Sequence, residues 1–181
     1  VRSTLHPKGG DMFTRQWDIH IQEGLDAAGL CFLIENECHT AIEASFSGVN
    51  NYLSGGYTPN LSLSSTELLQ ILYSKLYDEV KQLFRKEKLL LFPAIRNQSE
   101  DNTAVQISIP TSIQHTHKVI TNLLLKIRQL LNNYLIEPGW NREWKSCVNE
   151  LFQLEGKIHQ WVYIEQNLLY PAITGNSFKN D

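Results

Sequence analysis

Between residues 66 and 92, Leu69, Leu72, Leu76, Val80, Leu83, Glu87, Leu90 and Leu91 recur mainly at spacings of three and four. That spacing puts them on one face of an α-helix about 40 Å long, which must bury the face against something else. Three more segments carry the same signal. The first, 25–52, presents Phe32, Ile42, Phe46 and Val49. Another, 112–136, presents Ile113, His117, Ile120, Leu124, Ile127, Leu131 and Tyr134. The last, 142–170, presents Leu151, Leu154, Ile158, Trp161, Glu165 and Leu169. Punctuation falls between them. Gly55, Gly56 and Pro59 break the chain before Ser64 or Ser65 can cap a helix, and Pro93 marks the end of that helix. Thr111 or Ser112 is a cap for the third, Glu137-Pro138-Gly139 stops it, Asn141 caps the fourth and Pro171 closes it. Residues 97–110 read as an extended loop, because the Val105, Ile107, Ile109 alternation has no second strand to pair with.

Four helices apolar on one side only close most simply on each other, so the expected fold is all-α, an up-down four-helix bundle. It spans 24–174, with an amino-terminal arm over 1–23 and a carboxy-terminal tail over 175–181. With 42% apolar and 19% charged residues in 181, the chain has enough apolar side chains for one core. The formal net charge of -3 and the lack of a dense Lys/Arg run argue against a nucleic-acid partner. Apolar runs stop well short of the ~20 residues a membrane span needs, and no apolar leader opens the sequence, so a cytoplasmic location is expected. Cys31, Cys38 and Cys147 form no CxxC pair, which suits small buried thiols in a reducing compartment. Nothing in the pattern sets the oligomeric state.

Polar residues interrupt these stripes. Glu87 and Glu165 stand where large apolar groups are otherwise buried, His39 continues the Phe32, Ile42, Phe46 face, and His117 lies between Ile113 and Ile120. An ionised carboxylate cannot stay in such a place without a partner. One polar group from each of four helices can assemble a two-His, two-Glu metal site, in which carboxylates offset the cation charge and imidazoles supply neutral nitrogens. The alternative is that both glutamates lie at a bundle end, satisfied by Lys, Tyr or water, and that both histidines are hydrogen-bonded core residues. An internal echo accompanies the glutamates. Residues 86–95, KEKLLLFPAI, are matched by 164–173, IEQNLLYPAI, each with a Glu six residues before Pro.

These paired endings, with the Ile113 to His117 segment between them, resemble the hemerythrin-like HHE domains of the iron-sulfur-cluster repair family of di-iron proteins. The resemblance covers about residues 25–174. It implies a bundle whose first and third helices each supply one His, and whose second and fourth each supply a bridging Glu with a His four residues before it. On this chain it points to His39, Glu87, His117 and Glu165 as metal ligands, with His115 a weaker substitute for His117. It also implies iron as the metal, a small ligand such as nitric oxide or oxygen, and an iron-sulfur protein as partner. Two positions depart from the pattern. Leu83 stands four before Glu87 and Trp161 four before Glu165, and neither can coordinate iron. Phe84 and His159 do not replace them, since a shift of one or two residues turns a side chain by roughly 100° or 200°. The family's cysteine-containing amino-terminal segment has no counterpart. Two readings therefore stand: a non-haem iron protein of iron handling or nitric-oxide and oxidative-stress response, with one ion or a weak di-iron site, and a metal-free structural or protein-binding paralogue.

Overall fold

A computed structural model describes residues 24–55, 60–101 and 111–174, with the side chains of 98–101 left aside. The arm at 1–23, the tail at 175–181 and the Val105, Ile107, Ile109 stretch lie outside the described residues.

Four helices make up the described chain. Helix α1 starts at Ala27–Leu33, passes through a π-helical segment at Ile34–His39 and resumes as Thr40–Ser54. Helix α2 runs Leu63–Lys86, has a π turn at Glu87–Leu91 and continues as Phe92–Asp101. Helix α3 is Thr111–Leu130, and α4 is Arg142–Ile164, a π turn at Glu165–Leu169, then Tyr170–Thr174. They form an up-down four-helix bundle, as the stripes require. The start of α1 packs on the end of α2, and the rest of α1 lies along α4, where Lys157 donates to the Ala41 carbonyl and to Ser45. Tyr73 of α2 donates to the Phe46 carbonyl of α1 at 2.6 Å. None of these helices is long and apolar enough to cross a membrane.

Caps set the helix starts. Asp26 accepts from the Gly29 amide, and Asn141 from the Trp144 amide at 2.7 Å, as its sequence position suggests. The cap of α2 is Ser62 rather than Ser64 or Ser65. Its side chain accepts from the Ser65 amide, so the helix begins at Leu63. Helix α3 stops at Leu130, short of 136, because Asn132, Asn133 and Tyr134 take φ of 48°, 58° and 60°. Asn tolerates this left-handed region better than other residues with a Cβ, so the asparagine pair turns the chain before Pro138.

The prolines do not stop α2 and α4. In the π turn the Phe92 amide reaches back five residues to the Glu87 carbonyl, and the Tyr170 amide does the same to Glu165. Pro93 and Pro171 come next, where the widened turn has already interrupted the ladder and a missing amide costs little. Residues 97–101, expected as loop, accordingly remain helical.

The inserted residue in each π turn also moves the stripes. Phe32 is 66% exposed and Cys31 takes the inward place, since the extra residue in Ile34–His39 turns everything before it by about 100°. Leu90 is likewise exposed while Leu91 is buried. The remaining stripe residues of α2, α3 and α4 are buried as the periodicity demands, apart from Tyr134, which lies beyond the end of α3. Of the tryptophans, Trp144 and Trp161 are buried, Trp140 packs beside Trp144, and Trp17 lies outside the described residues.

Candidate metal centre

The four polar residues singled out in the stripes meet in the core. His39, Glu87, His117 and Glu165 come from α1, α2, α3 and α4, and none is more than 2% exposed. His39 closes the π segment of α1, while Glu87 and Glu165 open those of α2 and α4. Nε2 of His39 lies 2.9 Å from Oε2 of Glu87, and Nε2 of His117 lies 2.8 Å from Oε2 of Glu165. Potential ligand atoms of Glu87, His117 and Glu165 all fall within 4.8 Å of one another, and His39 joins this trio through Glu87.

Two halves of the site repeat one another. Phe92 stacks on His39 with centroids 6.0 Å apart, and Tyr170, its counterpart in the echo, stacks on His117 at 6.1 Å. Trp161 stands edge-on to both imidazoles at 5.8 Å, and Phe84 lies flat against His39 at 3.6 Å. Leu83 is fully buried one turn before Glu87, with its carbonyl accepting the Glu87 amide. The positions four before each glutamate thus point inward and carry apolar bulk where the resemblance implies imidazole. His159 does not compensate, because it is 44% exposed and turned towards Glu155. His115 is exposed and takes no part.

Electrostatics follow from this burial. Desolvation, then the Glu165 carboxylate beside it, pushes Glu87 well above the usual carboxylate range. Burial, aided by the charge of Lys88, lowers His39 to about 3, so this imidazole is neutral at physiological pH. A neutral imidazole and crowded carboxyl groups in a dry interior are a donor set suited to a cation.

The unsatisfied atoms bear on whether a metal fits. Both ring nitrogens of His39, Nε2 of His117 and Oε1 of Glu165 are buried without a hydrogen-bond partner among the described residues, and the Glu87 carboxyl has the Glu165 carboxyl beside it. Buried polar groups are ordinarily paired, so such a concentration is unusual. The close His–Glu approaches lack hydrogen-bond geometry, yet cis ligand atoms around an ion with bonds of ~2.1 Å lie about 3 Å apart. These residues fit a metal ion as a partial His/Glu cluster, two imidazoles short of the family pattern.

No family model matches the chain. Among curated proteins it is 25% identical over 96 residues to the iron-sulfur cluster repair protein YtfE of Pectobacterium atrosepticum, a stretch covering 53% of this chain and 42% of that one. It is 24% identical over 96 residues to the protein of the same name from Pectobacterium carotovorum subsp. carotovorum, with the same coverage. The chain is thus similar to these repair proteins over about half of its own length, and its four-helix bundle is hemerythrin-like in fold. The match spans less than half the length of the relatives, and Leu83 and Trp161 stand where the resemblance implies imidazole.

Sequence reasoning missed a second buried polar cluster. Glu155 is 1% exposed and bonded by Arg128 of α3, with Nε at 3.3 Å, and by His159 at 3.2 Å. Its signal was the i, i+4 spacing to His159 beside Leu154 on the stripe.

Proposed function

We propose that this chain is a non-haem iron protein in which His39, Glu87, His117 and Glu165 hold one iron ion or a weakly held pair. The observation that carries this is the convergence of buried donor atoms from four helices, with those of Glu87, His117 and Glu165 within 4.8 Å of one another and His39 against Glu87. Glu87 and Glu165 act as bridging or terminal oxygen ligands, and His39 and His117 as terminal nitrogen ligands. When bound, iron supplies redox chemistry and an exchangeable position for a small ligand such as nitric oxide or oxygen.

The chain's own residues prepare that position. Phe84, Phe92 and Trp161 wall the imidazoles with apolar rings, which exclude water and strengthen every charge interaction inside. Gln166 reaches Nδ1 of His117 at 3.4 Å, orienting a ring whose other nitrogen faces Glu165. Kinship with the repair proteins supports a role in iron handling or in the response to nitric oxide and oxidative stress, in the cytoplasm, with an iron-sulfur protein as partner.

A second reading draws on Leu83 and Trp161. Apolar side chains in both missing ligand places also suit a metal-free bundle kept for structure or protein binding. Elemental analysis after iron loading, combined with anomalous density, separates the two. Iron bound between the two glutamates supports the first reading, and no iron after loading leaves the second.

A further inference from the structure

We propose that Tyr170 is an additional, phenolate ligand at the His117 end of this centre, so that the first ferric ion binds to Glu87, His117, Glu165 and Tyr170. The proposal rests on the iron reading above. It starts from a broken symmetry. Phe92 and Tyr170 follow corresponding π turns and stack alike on His39 and His117, with interplanar angles of 21° and 18°. Packing against a site imidazole therefore requires the ring and not the hydroxyl. The hydroxyl nevertheless sits in the donor cluster, where it donates a hydrogen bond at 3.1 Å to Oε2 of Glu165, which itself lies 2.8 Å from Nε2 of His117.

These two separations share one carboxylate oxygen and are both close to the ~3 Å between neighbouring ligand atoms on one ion. Glu87, His117 and Glu165 form the tightest trio of donors, and three protein ligands leave room for a fourth. On the His117 side, Tyr170 is placed to fill it, as His39 is on the Glu87 side, while the place corresponding to Tyr170 beside His39 holds Phe92, which has no donor atom. Ferric iron favours anionic oxygen, and a phenolate joins two carboxylates in offsetting its charge where imidazole has been lost at Trp161. As the iron–oxygen bond forms, the phenol O–H breaks and its proton leaves to solvent, with no change in iron oxidation state.

The test loads the full chain with iron(III) supplied as its citrate complex, then records iron per chain, the visible spectrum and resonance Raman. The expected result is a broad phenolate-to-iron charge-transfer band with enhanced tyrosine ring modes. Y170F should lose both while keeping its helical circular dichroism, since Phe92 shows that phenylalanine fits against a site histidine. Phe92→Tyr, at the opposite end, should not restore the band in Y170F. Iron bound by the unsubstituted chain without the band and ring modes overturns the ligand role while leaving the iron reading intact. A band that survives in Y170F at equal iron also overturns it. No iron bound at all overturns both.

Discussion

Trp161 stands edge-on to His117, with ring centroids 5.8 Å apart and planes at 89°, one helical turn before Glu165. An imidazole there would face the same donor cluster. Leu83→His combined with Trp161→His is therefore expected to raise the iron bound per chain. The lost indole volume should cost about 3 kcal/mol of metal-free stability. Iron content by elemental analysis and a thermal melt followed by circular dichroism measure the two effects separately. A folded double variant with no gain in iron would show that the altered positions are not lost ligands.

Iron binding should stabilise the bundle through the same residues. A ligand present at 100 times its Kd and bound only by the folded state adds about 2.7 kcal/mol. For a domain of this size, each kcal/mol raises Tm by about 2–4 °C. E165Q and H117A should abolish the iron-induced shift, since both residues belong to the tightest trio of donors. Differential scanning calorimetry with and without chelator reads the difference.

Glu155 offers a pH test away from the candidate centre. Burial alone would raise its carboxyl, but hydrogen bonds from His159 and Arg128, with the Arg128 charge, outweigh it and hold Glu155 below the usual carboxylate range. A depressed folded-state pKa contributes stability that is present above the unfolded value of about 4.3 and is lost as pH falls through the folded value. Urea unfolding at a series of acidic pH values should show this loss, and E155Q should flatten it. R128M leaves a buried carboxylate short of its guanidinium and should cost about 3 kcal/mol at neutral pH.

The cysteines are expected to be inert in the folded protein. Cys31, Cys38 and Cys147 are at most 3% exposed, and burial pushes each thiol up to about 12. A thiol reagent should label none of them natively and all three in denaturant. Fast native labelling of Cys31 or Cys38 would instead point to opening of α1 beside the centre.

The bundle was legible because its cause is local. An apolar residue every three or four positions puts a stripe on a helix whatever the helix meets, and Leu69 to Leu83, Ile113 to Leu131 and Leu151 to Leu169 are buried as their spacing demands. The same periodicity drew attention to His39, Glu87, His117 and Glu165, since a polar residue on an apolar stripe must be explained. It misplaced Phe32 and Leu90, and it read Pro93 and Pro171 as stops. All four errors have one origin, the inserted residue of a π turn, which regular 3.6-residue counting passes over.

By itself, the sequence determined four amphipathic helices and four polar residues that had to find partners inside, because side-chain spacing and the cost of burying charge are properties of the chain. Tertiary structure alone decided that Glu87, His117 and Glu165 come together with His39 against Glu87, that Trp161 stands against both imidazoles while Leu83 is buried one turn before Glu87, and that Tyr170 rather than Phe92 adds a hydroxyl to the cluster. Distances between helices depend on how their faces pack, and within each helix the π turns rotate the side chains into register. Neither quantity is written in the spacing of any single segment.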